Sequence, residues 1–436
     1  MNVDICLVNP PQVALWNPLS YPPLGLLYLA AALEAEDVPV TIHNQPHRTL
    51  EDQQDEIPEA DIYGITATTA NIPATAELVR FLRQRRPAAI VVGGIHATVA
   101  PEETLELTGA DYAWNGEGEE LFPVFCRDPS RFERIIETGR IYNLDALPLP
   151  ARHLLPRDVI CDTSGIHSGE DKAKQRHVAS ARGTGAPNGP ATTIITSRGC
   201  PYRCTFCCKS RITEGVRYRS PENILGELLH LRDTYGIHHF RIVDDAVTLD
   251  RHRFDELMEL TTGRELYFTT ILRADSLKDL PMVQRMYAGG VRVASFGVES
   301  GSQAILDRVN KRESIAEIEQ AIQWCKEAGV FTKVFLIFGL PGETLETVDQ
   351  TKAFMRRAQP DSYTLSSFQP LPGSDIYEHP DKYGLEPLFE HGDYGNFWFY
   401  YEPDDAESGF HYRMPLEVRQ ARGDLIRYLR KGEWKG

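Results

Sequence analysis

The stretch TTIITSRGCPYRCTFCCKS, residues 192–210, joins a short apolar run to four of the chain's eight cysteines. Cys200, Cys204 and Cys207 have the spacing CxxxCxxC, and counting Cys208 in place of Cys207 gives CxxxCxxxC. Either triplet puts three thiols on one loop directly after a predicted strand. The remaining cysteines are isolated in the sequence: Cys6, Cys126, Cys161 and Cys325.

A triplet of thiols suits an iron–sulfur cluster better than zinc. A structural zinc site takes four ligands, and no second cysteine pair supplies the fourth. Three thiolates can hold three irons of a [4Fe–4S] cluster, which leaves the fourth iron open to another ligand. The spacing therefore predicts a cluster on this loop, with Cys207 or Cys208 as the third ligand.

Composition and charge narrow the function classes. The 436 residues are 42% hydrophobic and 25% charged, as in ordinary globular proteins. The net charge of −16 disfavours nucleic acid as a partner and would attract a cationic small molecule, although it also fits plain solubility. No run of 18 apolar residues predicts a membrane span. The start MNVDICLVNPP has no export signal, so we expect a cytoplasmic, reducing location.

The second half of the chain alternates predicted strands and helices. Strand-like runs are found at residues 192–197, 240–243, 266–270, 293–297, 333–338 and 363–368. Helical patterns lie between them at residues 221–235, 251–261, 281–288, 314–328 and 344–358. This α/β pattern predicts a partial (β/α)6 parallel barrel, whose chemistry lies at the carboxyl ends of the strands.

The first part of the chain shows a second α/β pattern. Buried strands are predicted at residues 4–8, 40–42, 61–66 and 89–94, with helices at residues 24–36, 73–84 and 100–108. Such an alternation is typical of a doubly wound, Rossmann-like sheet. Gly93 and Gly94 follow a strand, where the backbone can approach a ligand or simply make a tight turn.

Four segments are predicted from these patterns. Residues 1–143 form the doubly wound domain, residues 144–191 a linker or lid, residues 192–370 the barrel, and residues 371–436 a small C-terminal extension. The extension carries an aromatic run at residues 394–403, which either covers a substrate or packs on the barrel. An amphipathic helix is predicted at residues 415–430.

The cysteine loop resembles the signature of the radical S-adenosylmethionine (SAM) superfamily, CxxxCxΦC, in which Φ is aromatic and is Phe206 here. This resemblance slightly favours Cys207 over Cys208 as the third ligand. The resemblance implies that SAM binds the open iron. Reduction of the cluster then cleaves SAM to a 5′-deoxyadenosyl radical, which takes a hydrogen atom from the substrate. A flavodoxin or ferredoxin is the implied electron donor.

The similarity to this superfamily extends to about residue 372. RIVDDA, FGVESGS and FLIFGLPGET resemble the motifs that bind the methionine amino group, the ribose and carboxylate, and the adenine of SAM. The resemblance implies that cofactor contacts are made by Phe206, Val243, Asp244, Asp245, Glu299, Ser300, Gly339, Gly342, Phe368 and Gln369.

The N-terminal segment resembles the cobalamin-binding (B12-binding) domain found ahead of many radical SAM enzymes. The resemblance rests on LVNPP, YPPLGLLYLAA, VVGGIHATVAPEE and NGEGEE. The DxHxxG motif that supplies a histidine to cobalt is missing, and residues 250–252 match only its first half in the wrong domain. His96 is the only suggestive imidazole, and we expect it on a surface loop. Cobalamin is therefore a possible cofactor, and the domain could also lack it.

Two reactions are compatible with this domain pair. Most relatives are implied to be cobalamin-dependent C-methyltransferases. The spacing allowed by Cys208 resembles that of the radical diol dehydratases of aminoglycoside biosynthesis, the type that dehydrates paromamine. We favour radical dehydration of a vicinal diol in a cationic, sugar-like substrate of antibiotic biosynthesis, with methyl transfer as the alternative. An electron carrier that only holds a cluster is a third hypothesis. No general base is assigned.

Overall fold

The computed structural model describes residues 3–12, 21–161, 189–212, 215–390, 392–394 and 410–435. The chain forms two compact units. The first comprises Met1–Ile160, Leu371–Gly373 and Glu390–Phe399. The second comprises Cys161–Pro370, Ser374–Phe389 and Tyr400–Gly436. Most of the predicted aromatic run at residues 394–403, and most of the predicted linker or lid, lie outside the described residues.

The first unit is built on a parallel six-stranded sheet with the strand order β2-β1-β3-β4-β5-β6. Its strands are β1 Ile5–Asn9, β2 Val40–Asn44, β3 Ile62–Thr66, β4 Ala89–Gly93, β5 Tyr112–Asn115 and β6 Ile135–Glu137. The longer helices are Leu24–Ala35, Ile72–Arg85 and Pro101–Thr108, with shorter ones at Leu50–Gln53, Ile95–Val99, Phe122–Arg127 and Arg157–Ile160.

Alternation along β1 shows why this sheet is covered on both faces. Cys6 and Val8 belong to one buried apolar cluster, whereas Ile5 and Leu7 belong to the other. Successive side chains of a strand point to opposite faces, so a strand that is apolar throughout needs a layer of helices on each side. The predicted doubly wound fold is confirmed.

The second unit contains a parallel six-stranded sheet with the order β14-β13-β12-β11-β10-β7. Its strands are β7 Ala191–Ile194, β10 His239–Ile242, β11 Tyr267–Leu272, β12 Val291–Glu299, β13 Phe331–Phe338 and β14 Ser362–Ser367. The helices that follow them are Pro221–Tyr235, Arg251–Thr261, Leu280–Ala288, Gln303–Arg308, Ile315–Ala328 and Leu345–Ala358. This is the predicted partial (β/α)6 barrel.

The first predicted barrel strand is wrong in one respect, because it divides into two. After β7, the pair Ser197–Arg198 (β8) turns away and joins Arg217–Tyr218 (β9) in an antiparallel ribbon. Gly199 enables this turn with φ 105°, and a Cβ there would lie 2.3 Å from the carbonyl oxygen of Gly215. The ribbon therefore sets the direction in which the cysteine loop leaves the sheet.

Local signals explain the helix ends. Ser220 accepts a hydrogen bond from the backbone N–H of Asn223, and helix Pro221–Tyr235 ends at Gly236 with φ 67°. The C-terminal helix Leu416–Lys431 begins and ends one residue later than predicted. It packs near helix Leu345–Ala358, where the Tyr428 hydroxyl donates a hydrogen bond to the Lys352 carbonyl. Among the described helices, none has the length and apolarity needed to cross a membrane.

Candidate active site

The cysteine loop carries three accessible thiols and one that is buried. Cys200, Cys204 and Cys207 are partly exposed, whereas Cys208 is only 9% exposed. Burial raises the pKa of the Cys204 and Cys207 thiols to about 11. A metal must displace these protons to bind, so cluster loading is coupled to proton release.

The cysteine loop is held by backbone contacts from distant parts of the second unit. The Thr205 N–H donates to the Val309 carbonyl at 3.0 Å, and the Ile376 N–H donates to the Thr205 carbonyl at 3.1 Å. The Asn310 side-chain amide donates to the Arg203 carbonyl at 2.7 Å. These bonds fix the loop from both sides without using a thiol.

Across the described ranges, no three His, Cys, Asp or Glu side chains converge tightly enough to hold one metal ion. This disfavours a mononuclear zinc centre on the loop. The thiolates of a four-iron cluster each bind a different iron, so they need not converge on one point.

Beneath the cysteine loop lies a buried charge cluster, formed by Arg273, Asp275, Glu299, Lys311 and Glu313. The Lys311 ammonium lies 3.0 Å from Glu299 and 3.4 Å from Glu313, and Arg273 lies 2.9 Å from Asp275 and 3.4 Å from Glu313. Burial alone would lower the pKa of Lys311, but the two carboxylates outweigh it and the pKa is raised. Lys311 is therefore a fixed positive charge.

The charge cluster contacts the cysteine loop through Arg273. Its guanidinium stacks on the Tyr202 ring with its carbon 3.6 Å from the ring centroid, and it donates to the Lys311 carbonyl at 3.0 Å. Arg273 interacts electrostatically with Cys200 and Cys204. The sequence gives no sign that Arg273 and Lys311 belong to the site. Neither residue lies within a motif, and only the fold brings both to the cysteine loop.

The two aspartates after β10 have different environments. Asp244 is buried, and its carboxylate accepts hydrogen bonds from the Thr196 N–H at 2.7 Å and the Ser197 hydroxyl at 2.6 Å. Asp245 pairs with Lys209, the residue after the cysteines. Asp245 is therefore beside the predicted cluster, whereas Asp244 fixes the strand end. Val243, just before them, donates its N–H to the Ile194 carbonyl at 3.1 Å.

The end of β12 brings Glu299 and Ser300 to the same place as the charge cluster. Glu299 has φ 64°, the left-handed region that non-glycine residues rarely adopt. Gly297 leaves the space this requires, since a Cβ there would lie 2.7 Å from the Glu299 carboxylate and 3.1 Å from the Lys311 ammonium. The buried Ser300 hydroxyl accepts from the Ser302 N–H at 3.2 Å.

After β13 the chain makes the predicted glycine turn. Gly339 has φ 92° and Gly342 has φ 90°, and the Gly339 N–H donates to the Glu343 carboxylate at 2.9 Å. Burial raises the pKa of Glu343 to about 7. Glu343 closes the turn from inside, a role that the motif did not reveal.

Phe206 and Phe368 come together in one apolar cluster, although they are 162 positions apart in the chain. The Phe368 ring stacks on Tyr412, with centroids 5.9 Å apart. The neighbouring Gln369 is buried, and the oxygen of its side-chain amide (Oε1) has no hydrogen-bond partner among the described residues. A small pocket here is lined by Phe338, Gly339, Phe368, Phe410, His411, Tyr412 and Met414.

Family models match both parts of the chain. Residues 194–355 match the radical SAM superfamily, and residues 18–125 match the B12 binding domain. The chain belongs to the radical SAM enzymes that carry a B12-binding domain.

Two curated relatives of this radical SAM enzyme show the range of the family. An uncharacterized methyltransferase of Pyrococcus horikoshii is 29% identical over 384 residues, covering 82% of this chain and 78% of the relative. The anaerobic magnesium-protoporphyrin IX monomethyl ester cyclase of Rubrivivax gelatinosus is 30% identical over 383 residues, covering 82% of this chain and 66% of the relative.

Solved structures share the fold. The methyltransferase TsrM of Kitasatospora setae, bound to cobalamin and a [4Fe–4S] cluster, superposes with TM-score 0.69 at 20% identity, over 90% of this chain and 78% of that one. The cobalamin-dependent enzyme OxsB superposes with TM-score 0.63 at 18% identity, over 87% of this chain and 56% of that one.

The residues of the second unit fit the cofactors of the family. Three accessible thiols on a fixed loop suit a [4Fe–4S] cluster, which with SAM supplies the 5′-deoxyadenosyl radical when both are bound. Near Gly339 there is a small pocket lined by aromatic side chains, and the buried side-chain oxygen of Gln369 has no hydrogen-bond partner among the described residues.

The first unit fits a corrinoid less well. His96 was expected on a surface loop, and this is wrong: it is fully buried in the short helix Ile95–Val99. Its Nδ1 lies 3.1 Å from the Thr69 hydroxyl, and its Nε2 lies 3.5 Å from Glu103. Burial lowers the pKa of His96 to about 4. The imidazole is thus part of the core and is not presented to a cobalt ion.

The need for glycine at position 94 is also explained by the protein's own backbone, without a ligand. It has φ 96°, and a Cβ there would lie 2.7 Å from the carbonyl oxygen of Ala67. The N–H of His96 donates to that same oxygen at 3.2 Å. Tyr394 is 1% exposed, packs edge-on to His96 at 5.3 Å and donates its hydroxyl to Glu103. The protein's own side chains therefore fill this part of the carboxyl edge of the sheet.

Proposed function

We propose that this radical SAM enzyme dehydrates a vicinal diol in a cationic, sugar-like substrate, such as an aminoglycoside precursor in antibiotic biosynthesis. The observation that carries this choice is the packing of His96, Tyr394 and Glu103 over the carboxyl ends of β3 and β4. Radical dehydration needs no methyl carrier, so it is compatible with a B12-type domain in which the protein's own side chains cover the ends of β3 and β4.

For the cluster we propose Cys200, Cys204 and Cys207 as ligands. Cys207 is more exposed than Cys208, and it interacts electrostatically with Cys204. Its N–H also donates to the Cys204 carbonyl at 3.1 Å, so one turn holds both residues. Cys208, which is 9% exposed, is the competitor.

For SAM we propose contacts at the ends of four strands and on the cysteine loop. The aromatic pocket would take the adenine, Glu299 and Ser300 the ribose and carboxylate, and Asp245 the amino group. Asp244 would act by holding Asp245 in place, since its own oxygens already accept hydrogen bonds. The full proposed set is Phe206, Val243, Asp244, Asp245, Glu299, Ser300, Gly339, Gly342, Phe368 and Gln369.

The remaining parts of the proposal follow from charge and chemistry. The acidic balance of the chain favours a substrate bearing ammonium groups. Cluster reduction requires a one-electron donor, for which we propose a flavodoxin or ferredoxin in the cytoplasm.

The second candidate is a cobalamin-dependent C-methyltransferase. The match of residues 18–125 to the B12 binding domain favours it. Relatives named as methyltransferases favour it too, including a tryptophan 2-C-methyltransferase of Streptomyces laurentii that is 24% identical over 418 residues. In this alternative a corrinoid would bind without a histidine from the DxHxxG motif.

One experiment separates the two reactions. Anaerobically reconstituted protein is given SAM, a strong reductant and a set of aminosugars, and products are measured by mass spectrometry. Dehydration lowers the product mass by one water, whereas methylation raises it by one methylene group. A methylated product would overturn the proposal.

Corrinoid content is the matched control. Protein produced with added hydroxocobalamin should show the iron–sulfur absorption of the cluster without stoichiometric corrinoid bands after gel filtration. Failure to cleave SAM under any reducing condition would favour the third hypothesis, a protein that only carries a cluster.

A further inference from the structure

Strand β13 carries a lysine on the inner face of the barrel. Burial alternates along Phe331–Phe338, with Thr332, Val334, Leu336 and Phe338 buried and the residues between them partly exposed. Because the side-chain period of a strand is two, Lys333 shares its face with Phe335 and Ile337. The buried face packs on the helices, so the partly exposed face lines the interior of the barrel.

A cation from a distant strand interacts with Lys333. The only electrostatic contributor to the lysine among the described groups is Arg241 on β10, and β11 and β12 separate β10 from β13. Neighbouring strands lie about 4.8 Å apart, so in a flat sheet these two strands would be roughly 14 Å apart. Curvature of the sheet brings the two side chains toward each other across its concave face.

The Lys333 side chain points toward the carboxyl end of β13. Its Nζ lies 5.2 Å from the centroid of the Phe335 ring, two residues closer to the mouth of the barrel. Phe335 pairs in register with Gly297, where Glu299 and Lys311 of the charge cluster approach. Lys333 pairs with Ser295, so it lies two residues below the level of Gly297 on the inner face of the barrel, under the site proposed for SAM and substrate.

Lys333 makes no hydrogen bond and no ion pair with any described residue, and its ammonium group lies over the Phe335 ring. Burial, and secondarily Arg241, lower the pKa of Lys333 to about 8. An ammonium without a counter-ion destabilises a folded protein, and a lysine that titrates near neutral pH suits proton transfer. Lys311 shows the contrast, since two carboxylates hold it permanently charged.

We propose that Lys333 is the proton-transfer residue of the dehydration, a role that rests on the proposed function. After hydrogen abstraction, the substrate carbon radical bears a hydroxyl group. The Lys333 amine takes the proton of that hydroxyl, the neighbouring C–O bond breaks, and the resulting ammonium protonates the departing hydroxide. One water leaves, a carbonyl forms, the unpaired electron moves to the adjacent carbon, and Lys333 returns to the amine with no net gain of protons or electrons.

The groups around Lys333 allow a pH-dependent change in activity to be assigned to this lysine. The neighbouring strands place Ser295 and Ser362 in register with it, and neither titrates in the working pH range. Arg241 is the charged group that faces Lys333 from β10. A change of activity between pH 7 and 9 that disappears in a Lys333 variant is therefore assigned to Lys333.

The test separates radical formation from dehydration. Lys333→Met and Lys333→Arg are compared with the wild type, and with Lys326→Met as an exposed lysine control. We expect both Lys333 variants to form 5′-deoxyadenosine normally and to lose dehydration at least about 100-fold. The arginine variant keeps the charge but cannot release a proton, so it distinguishes proton transfer from charge alone.

A second measurement needs neither cluster nor substrate. We expect Lys333→Met to melt a few degrees above the wild type below pH 8, because the buried unpaired charge is removed. The folded pKa lies below the unfolded one, so the penalty is fully present below about pH 8 and fades as the pH approaches that of free lysine. Lys326→Met should show no such pH-dependent gain.

The outcomes are distinguishable. If the wild type dehydrates a substrate and Lys333→Met does so equally well, the role of Lys333 is wrong while the proposed function stands. If the wild type gives no dehydrated product although Lys333→Met shows the pH-dependent gain in stability, the proposed function is wrong. An unchanged melting temperature at every pH would show that Lys333 is solvated, which overturns the inference.

Discussion

The two parallel sheets have six strands each, and their carboxyl edges differ in what covers them. In the first unit, His96 and Tyr394 pack over the ends of β3 and β4, and the hydroxyl of Tyr394 reaches Glu103. In the second unit the strand ends carry thiols, paired charges and a strained Glu299. In the first unit, core side chains cover the ends of β3 and β4, which we call the closed edge; in the second unit, the same edge of the sheet carries chemically reactive groups.

The difference shows where this protein sacrifices stability for chemistry. Buried charges and left-handed non-glycine residues destabilise a fold and persist where function requires them. Such features collect in the barrel, with Glu299, Lys311 and Glu343 at its mouth and Lys333 on its inner face. We therefore expect substitutions at the barrel mouth to have larger effects, and of both signs, than substitutions at the closed edge.

The largest expected effect is on the cluster. Cys207→Ala should lose most of its iron and its charge-transfer absorption after anaerobic reconstitution, because the third thiolate is gone. Cys208→Ala should keep both, and added SAM should still change its spectrum. Loss of iron in the Cys208 variant alone would reverse the assignment of the third ligand.

Lys311→Met should destabilise the second unit by about 3–5 kcal/mol, because it leaves Glu299 and Glu313 buried without their shared cation. The check is the midpoint of urea unfolding followed by tryptophan fluorescence.

Two further variants control the Lys311 experiment. Lys278→Met, an exposed lysine, should leave the midpoint unchanged. Adding Glu313→Gln to Lys311→Met should recover part of the loss, and strict additivity of the two changes would contradict the pairing.

In contrast to Lys311→Met, the substitution Glu343→Gln should stabilise the protein at alkaline pH. The folded pKa of Glu343 is raised from 4.5 to about 7, so its contribution to stability is fully present below pH 4.5 and is lost as the pH rises through 7. At pH 8 we expect the glutamine variant to be more stable by on the order of 3 kcal/mol. Melting curves from pH 5 to 8 should show a growing difference in melting temperature between the variant and the wild type. A constant difference would contradict the raised pKa of Glu343.

The smallest effect is expected at the closed edge. Tyr394→Phe removes one hydrogen bond to Glu103, worth about 1 kcal/mol. Amide exchange in helix Pro101–Thr108 should then accelerate about fivefold. Tyr142→Phe, at a side chain that is 79% exposed, should leave exchange unchanged.

Much of the fold could be predicted from the sequence, because local patterns coincide with tertiary demands. Helix Pro221–Tyr235 has a serine cap, a proline in its first turn and a glycine after its end, and its bounds match the prediction. Strands β5 and β6 were missed, since four and three residues are too few to show a period. The ribbon of β8 and β9 was missed because its pairing joins two-residue segments 19 positions apart.

The site was less predictable than the fold. Motifs indicated the cysteines, Glu299 and the glycine turn, all of which carry local signals. Lys311, Arg273 and Lys333 matter through neighbours that lie far away in the chain, so no spacing reveals them. The prediction that His96 lies on a surface loop was wrong for the same reason, because the packing of Tyr394 against His96 joins residues far apart in the chain.

The fastening of the cysteine loop has a consequence for biosynthesis. Thr205 is tied to Val309 and to Ile376, so the loop obtains its shape only from segments that the ribosome makes more than 100 and 170 residues later. A growing chain exposes its thiols long before those partners emerge from the exit tunnel. We therefore expect the thiols to reach the arrangement described here only after Ile376 has been translated, and iron insertion at that arrangement to follow translation.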